Sequence, residues 1–168
     1  PEIIDIGTGS GCIGITLAKE IPSSNVIAID CSEKALALAE KNAKNIGIKN
    51  IDFVKSDFLK QTIDLRADLL VSNPPYIPKE DISTLMADVK EYEPSKALTD
   101  NLDGLEFYRV FSKKFDPMIK IDGALIVEVG KDEHPLKVKK IIEQSGHSNI
   151  EMINDYNGDI RVLKVMKC

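Results

Sequence analysis

The chain is predicted to be an α/β domain: a mostly parallel sheet of about seven strands with helices on both faces and an antiparallel hairpin at its end. Three observations carry this. Apolar runs of about four to eight residues, as in strands buried on both faces, alternate with longer stretches of helical period. The 168 residues, 43% hydrophobic and 29% charged with 10 Gly and 8 Pro, have the proportions of one globular domain. No apolar run approaches the roughly 18 to 20 residues needed to cross a bilayer, and no secretory leader pattern opens the chain.

In order, Glu2–Ile6 reads as a buried strand, followed by a Gly-rich turn and a helix from Gly11 to Glu20 closed by Pro22. Asn25–Asp30 is the second strand. Ser32 caps the next helix, Glu33 to Asn45, where Ala35, Leu36, Leu38, Ala39 and Ala43 form an apolar stripe and Gly47 ends the run. Ile51–Lys55, Asp68–Ser72 and Gly123–Val129 supply strands three to five, with helices near Gly104–Met118 and Pro135–Ser145 flanking the fifth. Two final strands, Asn149–Asn154 and Ile160–Lys167, are joined by the short connection Asp155–Asp159 and so should pair antiparallel. The segment Asn73–Asp103 has four prolines and little periodicity. Such a long connection usually carries function, and it is expected to be mobile until a substrate binds. Because Pro1 runs straight into a central strand, residues 1–168 are expected to be one domain of a longer protein.

Charge and cysteine usage narrow the function classes. With 22 basic against 27 acidic side chains the formal charge is -5, and no Lys/Arg block is dense enough to follow a phosphate backbone. A nucleic-acid surface is disfavoured. Cys12, Cys31 and Cys168 are odd in number and lack C-x-x-C spacing, which suits reduced thiols in a cytoplasm. His134 and His147 have no ligand partner at i+3 or i+4, so no dedicated metal site is expected.

The first turn reads Asp5-Ile-Gly7-Thr8-Gly9-Ser10-Gly11, glycines alternating with small hydroxyl residues before a helix, so a ligand should approach the backbone there. Gly9-Ser-Gly11-Cys-Ile-Gly14 also satisfies the dinucleotide pattern G-x-G-x-x-G, with Asp30 ending the next strand. Two details favour S-adenosylmethionine instead. Asp5 puts a carboxylate at the mouth of the loop, unfavourable for a pyrophosphate and favourable for an ammonium or sulfonium, and the glycine series starts too early. Asp30 can accept from both ribose hydroxyls, with Cys31 beside it on the donor side. Asp57 could accept from the adenine amino group while Phe58 packs on the ring; the plainer reading of Asp57 is a turn residue. Cys12 and Cys31 are read as small packing residues.

After the fourth strand stands Asn73-Pro74-Pro75-Tyr76, at the carboxyl edge where open α/β sheets hold ligands. The prolines lack N–H groups and hold the residue before each extended, so the turn displays acceptors, chiefly Asn73 Oδ1 and the Pro74 carbonyl. Two acceptors suit a planar –NH2 group with two hydrogens. Accepting both favours a more pyramidal nitrogen and stabilises the positive charge that grows as a methyl arrives. Tyr76 offers a flat face to a planar amide or base.

With these residues the chain resembles class I S-adenosylmethionine-dependent methyltransferases, which have a Rossmann-like fold, and within them the HemK/PrmC-type protein-(glutamine-N5) methyltransferases. Gly7-Thr-Gly9-Ser-Gly11, Asp30, Asp57-Phe58 and Asn73-Pro-Pro-Tyr76 match its donor and amide motifs. Glu91-Tyr-Glu93-Pro-Ser-Lys-Ala97-Leu, Asp103-Gly-Leu-Glu-Phe-Tyr-Arg109 and Gly158-Asp-Ile-Arg161 look like its downstream segments. The resemblance implies residues 1–168 as the catalytic domain, without the family's helical N-terminal domain. It also implies S-adenosylmethionine as donor, S-adenosylhomocysteine as product, and as partner and substrate a peptide-chain release factor, methylated on the Gly-Gly-Gln glutamine.

The Asn-Pro-Pro-Tyr motif also serves DNA adenine-N6 and ribosomal RNA guanine-N2 enzymes. A nucleic-acid amine methyltransferase is therefore the main alternative, opposed by the acidic charge, the absence of Trp and the lack of a large target-recognition insertion. An NAD-dependent oxidoreductase and a non-catalytic binding module on the same fold are the others. Glu128 either faces the substrate cleft or ion-pairs with Arg161, with the ion pair favoured. Arg109 is expected to anchor its helix, and Lys131, Lys137, Lys139 and Lys140 to form a solvated face.

Overall fold

In a computed structural model of the protein, residues 1–84 and 98–167 are described. Seven strands form one sheet: β1 Glu2–Ile6, β2 Asn25–Asp30, β3 Ile51–Lys55, β4 Ala67–Ser72, β5 Ile119–Glu128, β6 Ile150–Asn154 and β7 Ile160–Met166. The order is β3-β2-β1-β4-β5-β7-β6. The first five run parallel; β7 lies antiparallel to β5, and β6 antiparallel to β7. This is the predicted fold.

Four α-helices are described: α1 Cys12–Glu20, α2 Glu33–Asn45, α3 Glu106–Met118 and α4 His134–Gln144. Strand order reverses between β1 and β4, so right-handed crossovers send α1 and α2 to one face and the later helices to the other. A crevice must open at the carboxyl ends of β1 and β4, where the chain departs in opposite directions.

The larger part of the core lies under α3 and α4. Tyr108, Phe111, Phe115 and Met118 recur every three to four residues and bury one face of α3 against β4 and β5. Buried side chains of that size each contribute about 1.5–3 kcal/mol. Ile3, Ala18 and Val26 form a smaller cluster beneath α1. Ser32 caps α2 by accepting from Ala35 N–H at 3.3 Å, and Gly47, at φ 76°, lets the chain leave the helix.

Two expectations are corrected. The fifth strand starts at Ile119 rather than Gly123, because β5 follows α3 directly and accommodates the junction in a register shift opposite Ala67–Leu69. Leu38 is 48% exposed and lies outside the buried stripe of α2, since Leu36, Ala39 and Ala43 already fill the face toward the sheet. Within the long connection Lys79–Thr84 forms a 3-10 turn, and residues 76–79 are tied back by Ile77 N–H to Leu98 O and Lys79 N–H to Leu102 O, each 3.0 Å. The Glu91–Ala97 segment lies within residues 85–97, which are outside the described residues. No helix among the described residues is long and apolar enough to cross a membrane.

Candidate active site

Strand register brings the predicted residues to one edge. Ile6 pairs with Ile29 and with Ser72, Asp30 with Lys55, and Ser72 with Val127. Ser56, Asp30, Gly7, Asn73 and Glu128 therefore follow one another across neighbouring strand ends, from β3 to β5. At about 4.8 Å per strand, β3 to β5 spans about 19 Å, the reach needed to lay a nucleoside beside a transferable group and its acceptor.

The donor loop is stitched to β2. Gly7 N–H and Thr8 N–H both donate to Ile29 O, at 2.8 and 3.0 Å, and Gly9 N–H donates to Asp30 Oδ2 at 3.0 Å. Its glycines divide into two kinds. At Gly7, φ 71°, a Cβ would meet open space, and at Gly9, φ 58°, it would only touch Gly7 O at 3.9 Å, so their backbone lines a cradle. A Cβ on Gly11 would lie 2.6 Å from Ile15 Cδ1, and one on Gly14 2.9 Å from Asp5 Oδ2, so these two serve packing inside the protein. Ser10 Oγ lies 3.3 Å from Cys12 Sγ.

Asp5 departs from expectation. It is 1% exposed rather than at the mouth, with Oδ2 accepting from Thr8 Oγ1 at 2.6 Å and Gly14 N–H at 2.9 Å. Burial pushes its pKa up, and the two hydrogen bonds pull back against that. Oδ1 is buried without a partner among the described residues, an uncompensated acceptor under the loop. Thr8 is likewise turned inward, toward Asp5. The Thr8 hydroxyl and the Gly14 amide supply donors that hold the carboxylate inward.

Asp30 accepts from Gly9 N–H and, on Oδ1, from Ser32 N–H at 2.8 Å. A carboxylate has about four lone-pair sites, so capacity for hydroxyl donors remains. Asp57 behaves as the turn residue of its plainer reading: Oδ1 accepts from Leu59 N–H at 3.2 Å and Oδ2 pairs with Lys60 at 3.0 Å. Phe58 is corrected. Its ring is 4% exposed, packed against Phe111 and Phe107 with Lys114 Nζ above it at 4.5 Å, so only its backbone is available at the edge. The aromatic side chains of α3 compete for that ring more effectively than an exposed cleft could. Cys12 and Cys31 are both exposed, not packed, since the adjoining loop backbone leaves their side chains on the outer surface; Cys168 lies outside the described residues.

On the acceptor side, Ser72 Oγ donates to Ile6 O at 2.7 Å and locks the ends of β4 and β1 together. Asn73 is exposed, and its carboxamide has no hydrogen-bond partner among the described residues, as a motif that displays acceptors requires. Pro74 is buried, with Pro75 and Tyr76 half-buried. The Tyr76 hydroxyl donates to Glu128 Oε1 at 3.2 Å and accepts from Arg161 Nη2 at 3.0 Å. The Glu128–Arg161 pair is present at 2.9 Å. Burial pushes the Tyr76 phenol up, so it keeps its proton. His134 meets the Tyr76 ring edge-on at 5.9 Å and Arg161 lies 5.6 Å over it, so part of the flat face offered to an acceptor is already occupied.

Several contributors were invisible in the sequence. Asn42 Nδ2 donates to Ser10 O at 2.9 Å, bracing the donor loop from α2. Lys114 reaches from α3 to Phe58 O and Gln61 O. The fully buried Tyr108 donates to Glu128 O at 2.6 Å. His134 accepts from Gly130 N–H on Nδ1 and meets Gly104 O through Nε2, at 3.1 and 3.2 Å. An amphipathic pattern marks such residues as core or surface, and gives no sign of their remote partners.

The profile of the methyltransferase small domain family matches residues 1–91, which include both the donor loop and Asn73–Tyr76. The chain belongs to that family. Among its relatives, release factor glutamine methyltransferases of Fusobacterium nucleatum and Bacillus subtilis are 44% and 37% identical to this chain. The alignments cover 99% and 96% of the chain but 47% and 57% of those proteins, so it spans about half their length. Two solved structures share the fold: a methyltransferase from Pyrococcus furiosus (TM-score 0.73, 18% identity, 98% of this chain and 74% of that one) and the magnesium protoporphyrin IX methyltransferase of Synechocystis with bound SAM (TM-score 0.63, 17% identity, 99% and 69%).

Proposed function

We propose that the chain is the catalytic domain of an S-adenosylmethionine-dependent enzyme. It transfers a methyl group to the side-chain amide nitrogen of the Gly-Gly-Gln glutamine in a peptide-chain release factor, in the cytoplasm. The observation that carries the reading is the Asn73 carboxamide, exposed and without a hydrogen-bond partner among the described residues, beside two prolines and one strand away from an open glycine cradle. The names of the curated relatives support the same substrate.

The residues present fit the donor. Gly7 and Gly9 leave room for close approach, and Asp30 retains acceptor capacity for ribose hydroxyls. Ser10, Cys31 and Asp57 are the further donor-side residues of this proposal, and Gly11 supports the loop from inside. When bound, S-adenosylmethionine supplies an electrophilic methyl on a sulfonium.

Every other step belongs to the chain. Asn73 Oδ1 and the Pro74 carbonyl accept the two amide hydrogens, aim the nitrogen lone pair across the β4/β1 boundary, and stabilise the charge developing there. No strong general base is needed; the extra proton leaves after transfer, when the nitrogen is acidic. Alignment of this kind can contribute on the order of 7 to 11 kcal/mol.

The test is transfer of labelled methyl by the full-length protein to a release factor and to its Gln→Ala variant in Gly-Gly-Gln. Label on the first alone supports the proposal. Label on neither, with transfer to DNA or RNA, replaces it with the nucleic-acid reading.

A further inference from the structure

Tyr76, Glu128 and Arg161 form a closed ring of three hydrogen bonds, because Arg161 Nη2 donates to the Tyr76 hydroxyl and to Glu128 Oε1, and that hydroxyl donates to the same oxygen. The ring joins the acceptor turn, the end of β5 and the start of β7. Val129 N–H to Arg161 O at 2.9 Å carries the ladder between β5 and β7 to this point.

The turn needs such a tie. Pro74 and Pro75 have no N–H to anchor them. The chain is held before the turn by Ser72 and after it by Ile77 N–H to Leu98 O. The Tyr76 side chain is the remaining handle, two residues from the Pro74 carbonyl. Gly104 and Gly130 close around it: a Cβ on Gly104 would lie 2.2 Å from Tyr76 O, and one on Gly130 3.3 Å from Tyr76 Cδ2. Arg161 and Glu128, with side chains 21% and 31% exposed, form a half-buried ion pair, both ends of which meet the Tyr76 hydroxyl. Its geometry is what remains to be explained.

We propose that Glu128 and Arg161 are positioning residues of the acceptor site, acting through the Tyr76 hydroxyl to hold Asn73 Oδ1 and the Pro74 carbonyl where the acceptor –NH2 is received. The inference rests on the proposed amide-methylating function. The other use of the same contacts, simply pinning β7 to β5, makes no demand on Tyr76.

The experiment compares Tyr76→Phe, Glu128→Ala, the double variant and Glu128→Gln in the full-length protein. Tyr76→Phe loses one hydroxyl and leaves the ion pair intact, so its reading does not depend on how well Glu128→Ala folds. Each of these two single variants should lower kcat about tenfold with cofactor affinity within about twofold, and the double should fall no further. Glu128→Gln, whose amide oxygen still accepts, should recover most of the loss. Hydrogen exchange at the Ile77 amide, read without substrate, should quicken in both single variants. A double variant falling by the product of the singles, or Tyr76→Phe with unchanged kcat and unchanged Ile77 exchange, overturns the proposal. If the parent protein methylates no release factor, the functional reading fails by itself and the Ile77 exchange still decides the positioning role.

Discussion

The donor and acceptor halves of the crevice are built by different means. Around the donor loop the ties are short in sequence: Asp5 to Thr8 and Gly14, Asp30 to Gly9, and Asn42 to Ser10, with separations of 3, 9, 21 and 32 residues. They are made largely by backbone amides and short polar side chains. At the acceptor turn, Tyr76 is held by residues 52 and 85 positions away, on β5 and β7. The donor cradle is thus complete once three strands and two helices have formed. The acceptor geometry exists only when the last strand has closed the sheet.

Substitutions can break this division. Asn73→Ala should have the largest effect, cutting methyl transfer about a hundredfold or more while calorimetry finds cofactor affinity within about threefold; equal losses in both would merge the two halves. Asp30→Ala removes the acceptor of Gly9 N–H and Ser32 N–H together with two potential ribose contacts. Its cofactor Kd should rise about ten- to a hundredfold, with the acceptor KM unchanged.

Gly104→Ala strains both the backbone, at φ 77°, and the contact with Tyr76 O. Urea unfolding should register a loss of about 1–3 kcal/mol, with kcat falling and donor binding spared. Gly47→Ala is the control: its φ is also positive, at 76°, but nothing lies within 4 Å of the added carbon, so stability falls by about 1 kcal/mol or less and kcat stays put.

The smallest effect concerns pH. Burial depresses the His134 pKa, with Lys137 and Arg161 acting in the same direction and the Gly104 carbonyl and Asp100 opposing. Between its folded value and the unfolded value of about 6.5, the unfolded chain binds more protons. The stability from neutral His134 is therefore full above that unfolded value and is lost as pH falls through the folded one. A plot of Tm against pH should be flatter over this interval in His134→Gln than in the parent; parallel curves would remove His134 from the acceptor-side scaffold.

Much of this was legible in the residues. Asn73-Pro-Pro-Tyr76 advertises its acceptors because proline removes donors wherever it sits. The alternation of apolar runs with helical stretches needs only local periods, and it yielded all seven strands. Asp5 and Phe58 were harder, because each could point into the cleft or into the protein. Asp5 was drawn inward by the Thr8 hydroxyl and the Gly14 amide, and Phe58 by the aromatic face of α3.

By itself, the sequence determined the order of elements, the glycine loop and the chemical character of the acceptor turn, since those follow from side-chain type and near-neighbour spacing. Only the tertiary structure decided that Gly7 and Gly9 line open space while Gly11 and Gly14 serve packing, and that Tyr76 is held by Glu128 and Arg161. The glycines take different roles according to what α1, α2 and Asp5 pack against them, and the Tyr76 ties exist only once β7 has inserted between β5 and β6, because contacts across distant elements depend on register and burial, and neither is encoded in any short stretch of chain.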